Sequence, residues 1–315
     1  MLHRIALYNI PVVVKEMKLK TPRYSNENIG YLFVIPALIF MLAFIGYPIV
    51  SNIILSFQNV DVMTLGSKVR EFVGFDNYKE LFKDKIIISA IFNTLYFTVG
   101  SIIFQFIIGF ALALFFNMKF NLAKPVRGFM MVSWMIPITV TALMFKFMFG
   151  ANGGIINELL LALHITGKPV EWLVQSTTAM WSVIIANIWI GIPFNMILIT
   201  TGLSTIPNEI YESASLDGAN KIQKLFHITI PMIRASIEAV LVLGFIYTFK
   251  VFDLVYVMTQ GGPVNATEML STYSYKLSFS EFNFSKGAAS ANILFIILFF
   301  VSLLYLRLVS EDEVM

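Results

Sequence analysis

Long apolar stretches separated by short polar segments dominate this chain. Three of them, residues 28–60, 86–118 and 172–208, contain no Asp, Glu, Lys or Arg. A helix that crosses a bilayer needs about 20 mostly apolar residues, and six windows meet that requirement. The pattern predicts an all-α integral membrane protein with transmembrane helices near residues 30–57, 86–116, 128–149, 173–203, 235–258 and 288–306.

Basic residues indicate which side each polar segment faces, because Lys and Arg favour cytoplasmic segments. An even number of spans puts both ends on one side. With the ends inside, the inner segments carry twelve Lys and Arg residues and eight acids. The outer loops carry eight Lys and Arg residues and nine acids. The sequence predicts a cytoplasmic or interfacial segment at 1–28, a membrane domain at 29–309, an acidic cytoplasmic tail at 310–315 and a cytoplasmic loop at 204–231.

Composition agrees with lipid as the main solvent. Apolar residues make up 57% of the chain and charged residues 13%, about half of the ~25% charged residues usual in soluble domains. The net charge of +3 is small and predicts no nucleic-acid partner. The absence of cysteine excludes disulfides and thiol chemistry.

The cytoplasmic loop has the pattern of two short helices joined by a tight turn. Pro207 suits a first helical turn, and Ser204 or Thr205 is expected to cap that helix. Gly218 is expected to end it with a positive φ angle, before a second short helix over 220–227. The alternative is an ordinary surface hairpin, but the small apolar face suits a groove in another protein. That face consists of Ile210, Ala214, Ile222, Leu225 and Phe226.

The loop also follows a fixed spacing: Glu212-Ser213-Ala214, three residues, Gly218, nine residues, then Ile228-Thr229-Ile230-Pro231. This spacing resembles the cytoplasmic coupling loop of the permease subunits of bacterial ABC importers, with Ser213 in place of a middle alanine. The run from Phe252 to Pro263, followed by Ala266-Thr267-Glu268, is similar to the carbohydrate-uptake branch of the type I importers. That branch includes glycerol-phosphate permeases.

The resemblance implies the six-helix permease fold of type I importers in a bacterial inner membrane. It implies four kinds of partner: a second homologous permease subunit, two ATP-binding subunits, an extracytoplasmic sugar-binding protein and membrane lipid. A sugar or oligosaccharide would cross between the two permeases, and ATP and Mg²⁺ would bind the partner ATPase. The residues that would contact that ATPase are Glu212, Ser213, Ala214, Asp217, Gly218, Ile228 and Pro231.

The chain has no sequence pattern for an ATPase or a metal enzyme. A phosphate-binding loop needs a Gly five residues before a Gly-Lys pair. The pair Gly167-Lys168 lacks that Gly and is followed by Pro169. The three histidines have no zinc spacing. We therefore predict a chain that is not an enzyme, binds no cofactor or metal and depends on a separate motor.

Polar residues inside apolar spans are candidates for the translocation path, because such groups usually face a bundle interior or a watery cavity. Asn187 and Asn195 flank Trp189 on the fourth span and could contact sugar hydroxyls, or they could bridge helices. Lys250 and Asp253 are three residues apart on the fifth span and can pair on one face. They could form an outer gate or substrate contact, or a structural or snorkelling pair.

Three further residues have simpler interpretations. Glu238 is expected to be interfacial or paired with a basic neighbour, Lys146 to snorkel, and Trp134 to serve packing. An alternative function is a self-contained proton- or ion-coupled sugar carrier in which Lys250, Asp253 and Glu238 are the coupling groups. That alternative leaves the spacing of the cytoplasmic loop unexplained, and no internal inverted repeat supports it.

Overall fold

The computed structural model describes residues 26–67, 69–118 and 122–312. Within these ranges α-helices dominate, as the apolar pattern predicts, beside a short antiparallel ribbon of β1 (Gln58–Asn59) and β2 (Glu71–Phe72). The α-helices of the described residues are α1 (Asn26–Met41), α2 (Tyr47–Ser56), α3 (Asp76–Lys83), α4 (Lys85–Asn117), α5 (Ala123–Met135), α6 (Ile138–Met148), α7 (Ile155–Ala162), α8 (Ser176–Ser204), α9 (Asn208–Leu216), α10 (Lys221–Lys224), α11 (Ile230–Met232), α12 (Arg234–Phe249), α13 (Asp253–Met258), α14 (Leu270–Tyr275) and α15 (Phe284–Asp312). The same ranges contain three π-helical segments, at Leu42–Gly46, Leu225–Thr229 and Lys276–Ser280.

The chain divides into two compact units, residues 1–50 and 51–315. The first unit contains α1, the first π-helical segment and the start of α2. The second contains every contact described below. Most of the predicted segment 1–28 and the end of the predicted tail 310–315 lie outside the described residues, so the proposed domain boundaries stay predictions.

Four helical stretches of the described residues are long and apolar enough to cross a membrane. They correspond to the predicted first, second, fourth and sixth spans. Two further helix pairs qualify only when each bent pair counts as one span, so the six-span count stays a prediction. The four long stretches are Phe33–Ser56, Lys85–Asn117, Ser176–Ser204 and Phe284–Arg307.

The predicted third span, 128–149, is wrong as a single helix. Helices α5 and α6 meet at an angle of 94°. Pro137 precedes α6 with a ψ of 135°, and Ile136 is extended with a ψ of 132°. Proline has no N–H to donate and disfavours a helical backbone in the residue before it, which explains the break at this point.

The predicted fifth span, 235–258, is also wrong in its outer part. Helix α12 ends at Phe249, and α13 begins separately at Asp253. Between them the carbonyl of Val251 accepts a hydrogen bond from Ser271 Oγ, a residue of α14. The Val251 carbonyl therefore has a hydrogen-bond partner even though the backbone is not helical at this point. At its other end α12 joins the preceding helical stretch at an angle of 69°.

Helices α4 and α8 make the most extensive helix contact among the described residues. Two glycines allow it. A Cβ at Gly109 of α4 would lie 2.6 Å from Asn195 Cβ, and a Cβ at Gly191 of α8 would lie 2.2–2.5 Å from the Gln105 amide. Small residues at such contacts let membrane helices pack closely. Helix α4 also contributes to all three hydrophobic clusters of the structure.

Polar contacts join segments of the second unit that are distant in sequence. Asn77 of α3 donates to the carbonyls of Ser56 at 2.8 Å and Gln58 at 2.9 Å. Lys286 of α15 pairs with Glu80 at 2.8 Å. That hydrogen bond lowers the pKa of Glu80. These contacts join the β-ribbon, α3 and α15.

The segment 259–269 is held by a buried carboxyl group. Glu268 is 2% exposed and accepts a hydrogen bond from Thr272 Oγ1. Burial raises the pKa of Glu268. Asn93 of α4 donates to the carbonyls of Asn265 and Glu268, both at 3.1 Å. The Glu268 side chain lies against Gly261, which has a φ of +82°.

We predict that Gly261→Ala destabilises the fold more than Gly153→Ala. Both glycines have positive φ, so both variants lose about 1–2 kcal/mol to backbone strain. A Cβ at Gly261 would lie 2.4 Å from Glu268 Oε2, whereas one at Gly153 meets nothing within 4 Å. Overpacking should add about 1–3 kcal/mol at Gly261 alone. Thermal unfolding of the purified protein measures the difference, and equal losses would contradict this account of Glu268.

Candidate functional site

The 204–231 loop contains two short helices and a turn, as its sequence predicts. Helix α9 ends before Gly218, whose φ is +81°. Asn220 caps α10 in a reciprocal arrangement with Gln223. Tyr211 hydroxyl and Thr229 Oγ1, 2.9 Å apart, tie the two parts of the loop together. The loop is therefore a folded element with a defined turn.

The predicted cap of α9 is wrong. Pro207 occupies the N-cap position and makes no side-chain cap bond. Ser204 Oγ donates instead to Thr201 O at 2.7 Å, and Thr205 Oγ1 donates to Gly202 O at 2.8 Å. Both hydroxyls therefore satisfy carbonyls at the end of α8 and do not serve α9.

The surface of the loop exposes several apolar side chains. Leu216 is 89% exposed, and Ile222 and Phe226 are also exposed. Leu216 is not among the residues that the sequence predicts for this surface. It precedes Asp217 and lies outside the apolar face of Ile210 and Ala214. Of the motif residues, Ala214 and Ile228 are half-buried and the others exposed; the exposed ones are Glu212, Ser213, Asp217, Gly218 and Pro231.

A second candidate site is an open cavity of about 430 Å³ between α5, α6, α8 and α12. Its wall combines aromatic rings with groups able to form hydrogen bonds. The lining includes Gln105, Trp134, Asn187, Phe194, Tyr247, Thr248, Lys250, Phe252 and Asp253. The structure thus brings together residues that are up to 148 positions apart in sequence.

Asn187 is the most informative polar residue of the cavity. It is 7% exposed, and its Nδ2 has no hydrogen-bond partner in the part of the chain that the structure describes. Gln105 Nε2 donates to the backbone carbonyl of Asn187 at 2.8 Å, and the Gln105 amide fits because Gly191 has no side chain. A buried donor without a partner costs about 1–3 kcal/mol. A ligand that offers an acceptor would offset that cost.

Aromatic rings form another part of the wall. Trp134 and Phe194 stack with centroids 6.1 Å apart, and Tyr247 meets Phe194 edge-on at 5.9 Å. Lys250 Nζ lies 5.3 Å from the Tyr247 centroid, within the range of a cation–π contact. Trp134 was predicted to be packing, yet it lines this cavity.

The five residues predicted for the path lie in different environments. Asn187, Lys250 and Asp253 share the cavity wall. Asn195 Nδ2 donates to Gly191 O of its own helix at 2.8 Å, and the side chain packs against Gly109 of α4. Trp189 lines a separate cavity of about 380 Å³.

Lys250 and Asp253 form no ion pair in the described residues, because the helix ends between them. The other two intramembrane charges have local partners. Glu238 pairs with Arg234 at 2.7 Å, as predicted. Lys146 Nζ donates to Val257 O at 3.0 Å, so it makes a specific contact and does not simply snorkel. Neither residue lines the cavity.

Residues 105–312 match the family described as "Binding-protein-dependent transport system inner membrane component". The match covers about two thirds of the chain and includes both candidate sites. This chain belongs to that family. It is therefore an inner-membrane permease subunit of an ABC importer.

Two bacterial proteins illustrate how far the likeness of this permease extends. A probable ABC transporter permease protein, YurN, of Bacillus subtilis is 36% identical over 288 residues, or 90% of this chain and 96% of that protein. The sulfoquinovosyl glycerol transport system permease protein SmoG of Agrobacterium fabrum is 31% identical over 92% of each chain.

A solved structure of similar fold comes from a bacterial ABC transporter involved in import of the acidic polysaccharide alginate. It matches with a TM-score of 0.74 and 25% identity, covering 90% of this chain and 96% of that chain. These relatives are components of ABC transporters. The alternative of a self-contained carrier receives no support from them.

We predict that Gly191→Ala impairs transport more than Gly244→Ala, although both residues line the cavity of this permease. A methyl group at Gly191 would displace the Gln105 amide and remove its hydrogen bond, worth about 0.5–1.5 kcal/mol. At Gly244 it meets nothing within 4 Å. Uptake per assembled complex is the measurement. Equal uptake by the two variants would contradict a role in transport for the hydrogen bond from Gln105 to the backbone of residue 187.

Proposed function

We propose that this permease forms half of the path by which a sugar or oligosaccharide enters the cell, and that its 204–231 loop couples the path to a separate ATPase. The observation that carries the proposal is the cavity beside α8, where the unpartnered amide of Asn187 lies among aromatic rings. Such a wall suits a ligand with many hydroxyl groups and apolar C–H faces.

The chemistry of the wall supports a saccharide over an apolar ligand. Asn187 Nδ2 and Lys250 Nζ are donors, and Asp253 is an acceptor. Each can exchange hydrogen bonds with hydroxyl groups. The rings of Trp134 and Tyr247 offer apolar surface for the carbon skeleton of a sugar ring. Relatives whose names specify sugar-containing substrates, such as SmoG, support the same class for this chain.

Helix α12 is the proposed mechanical link between the two sites. It follows the loop at Arg234 and reaches the cavity at Tyr247 and Lys250. Its sixteen residues span about 24 Å. The helix packs on both α4 and α8, which contribute to the cavity wall. A displacement of the loop is thus expected to change the shape of the cavity.

In this mechanism ATP binding draws two ATPase subunits together and shifts the permease from an inward-facing to an outward-facing population. Hydrolysis and release restore the inward state. An extracytoplasmic binding protein delivers the saccharide, and a second homologous permease completes the path. Both termini and the loop are cytoplasmic. ATP and Mg²⁺ bind the partner subunits, so this chain positions substrate and transmits motion but performs no hydrolysis.

ATPase activity of the complex in nanodiscs tests the proposal. We expect stimulation by one sugar-loaded protein from a panel of binding proteins, and loss of that stimulation in Gly218→Val. A β-branched residue at a φ of +81° strains the turn by about 1–2 kcal/mol or more. Gly167→Val is the control, because Gly167 has no positive φ and no atom within 4 Å of an added Cβ.

Two outcomes would contradict this account. Normal stimulation in Gly218→Val would remove the coupling role of the loop. Uptake driven by a proton gradient in the absence of ATP would favour a self-contained carrier.

We also predict that Leu216→Asp weakens association with the ATPase, because it places a charge where an apolar contact is expected. Met63→Asp is a matched control: Met63 is 88% exposed and Leu216 89%, and Met63 lies between β1 and β2, outside the 204–231 loop. The fraction of permease that copurifies with the ATPase is the measurement. Equal recovery of ATPase with the two variants would show that Leu216 lies outside the interface.

A further inference from the structure

Five aromatic side chains form a continuous row beyond the cavity. Phe252 stacks on Tyr256 with centroids 5.0 Å apart, and both rings contact Tyr275, at 5.0 and 5.1 Å. Tyr275 lies 5.0 Å from Phe279, which meets Phe284 edge-on at 6.5 Å. We call this set the outer aromatic row. It draws on α13, α14, the third π-helical segment and α15, together with the break after α12.

The row begins at the cavity and ends at the surface. Phe252 lines the cavity wall beside Lys250 and Asp253. Phe279 is 60% exposed, and the other four rings are half-buried. The row continues from the end of α12 that is opposite the 204–231 loop. It therefore connects the cavity with the side of the membrane from which an importer receives its substrate.

The partial exposure of every ring separates the row from a packed core. Core aromatic residues of this chain, such as Phe97 and Phe249, are almost completely buried. Each ring of the row instead leaves part of its surface accessible, and two of the five carry hydroxyl groups. Pyranose rings have apolar C–H faces that pack on aromatic rings, while their hydroxyls bond at the edges. Neighbouring rings have centroids 5.0–6.5 Å apart, so the five side chains form an unbroken aromatic surface.

We propose that the outer aromatic row is a binding surface for pyranose rings, separate from the cavity and located on its extracytoplasmic approach. The proposal rests on the proposed function for the direction of transport. Its occupant is the saccharide on its way into the cavity, because Phe252 belongs to both. The row would hold a sugar after its release from the binding protein and before it reaches Asn187.

Saturation-transfer NMR on the complete complex in nanodiscs tests the row directly. Aromatic protons are irradiated, and transfer is measured to methyl β-glucopyranoside and to sorbitol, an open-chain polyol without a ring face. We expect transfer to the glucoside in the native complex and little transfer to sorbitol. Phe279→Leu and Tyr275→Leu should weaken binding of the glucoside roughly 2- to 10-fold, the usual effect of losing an aromatic contact. Tyr275→Phe should retain it.

Phe300→Leu is the matched control, because Phe300 is 65% exposed on α15 and makes no ring contact with the row. Unchanged transfer in the row variants, an equal loss in Phe300→Leu, or equal transfer to sorbitol would overturn the proposal. The ATPase assay tests the proposed function independently of the row. A complex that shows no ATP-dependent stimulation but does show transfer specific to the glucoside would contradict the proposed function and support the binding surface.

Discussion

The close approach of α4 and α8 is the constraint on which the rest of the structure depends. In lipid, apolar surface gives little drive for helix association, so packing of small residues and internal hydrogen bonds must hold the bundle. Gly109 and Gly191 provide that approach, one on each helix. It lets Gln105 reach the Asn187 carbonyl. The same contact therefore joins α4, the longest helix of the described residues, to α8 and fixes the polar side of the cavity.

Broken helices give this bundle its functional geometry. The 94° bend between α5 and α6 follows Trp134, which lines the cavity, and the break after α12 adds Lys250, Phe252 and Asp253 to the same wall. Irregular backbone at membrane depth is tolerated where it is buried in protein or lines a cavity. The 69° bend at the other end of α12 separates this helix from the 204–231 loop. One helix thus contacts both candidate sites.

Local features of the sequence were predictive, and features that depend on distant partners were not. The positive φ of Gly218 followed from its place after a short helix, and Asn187 stood out as an amide in an uncharged span. Gln105 carried the same signal and was overlooked. The end of α12 could not be anticipated, because Ser271, twenty residues away, satisfies the Val251 carbonyl. Tyr247 and Trp134 resemble packing residues until the fold places them around one cavity.

The central claim is that ATP binding to the partner ATPase subunits opens the cavity toward the extracytoplasmic side of the membrane. Because the chain has no cysteine, a single Cys at Gly244, where added atoms meet open space, reports on access to the cavity. The decisive measurement is the rate at which a membrane-impermeant thiol reagent, added outside, labels this chain in the assembled complex. The account predicts faster labelling with a non-hydrolysable ATP analogue than without nucleotide. Equal rates, or slower labelling with the analogue, would contradict it.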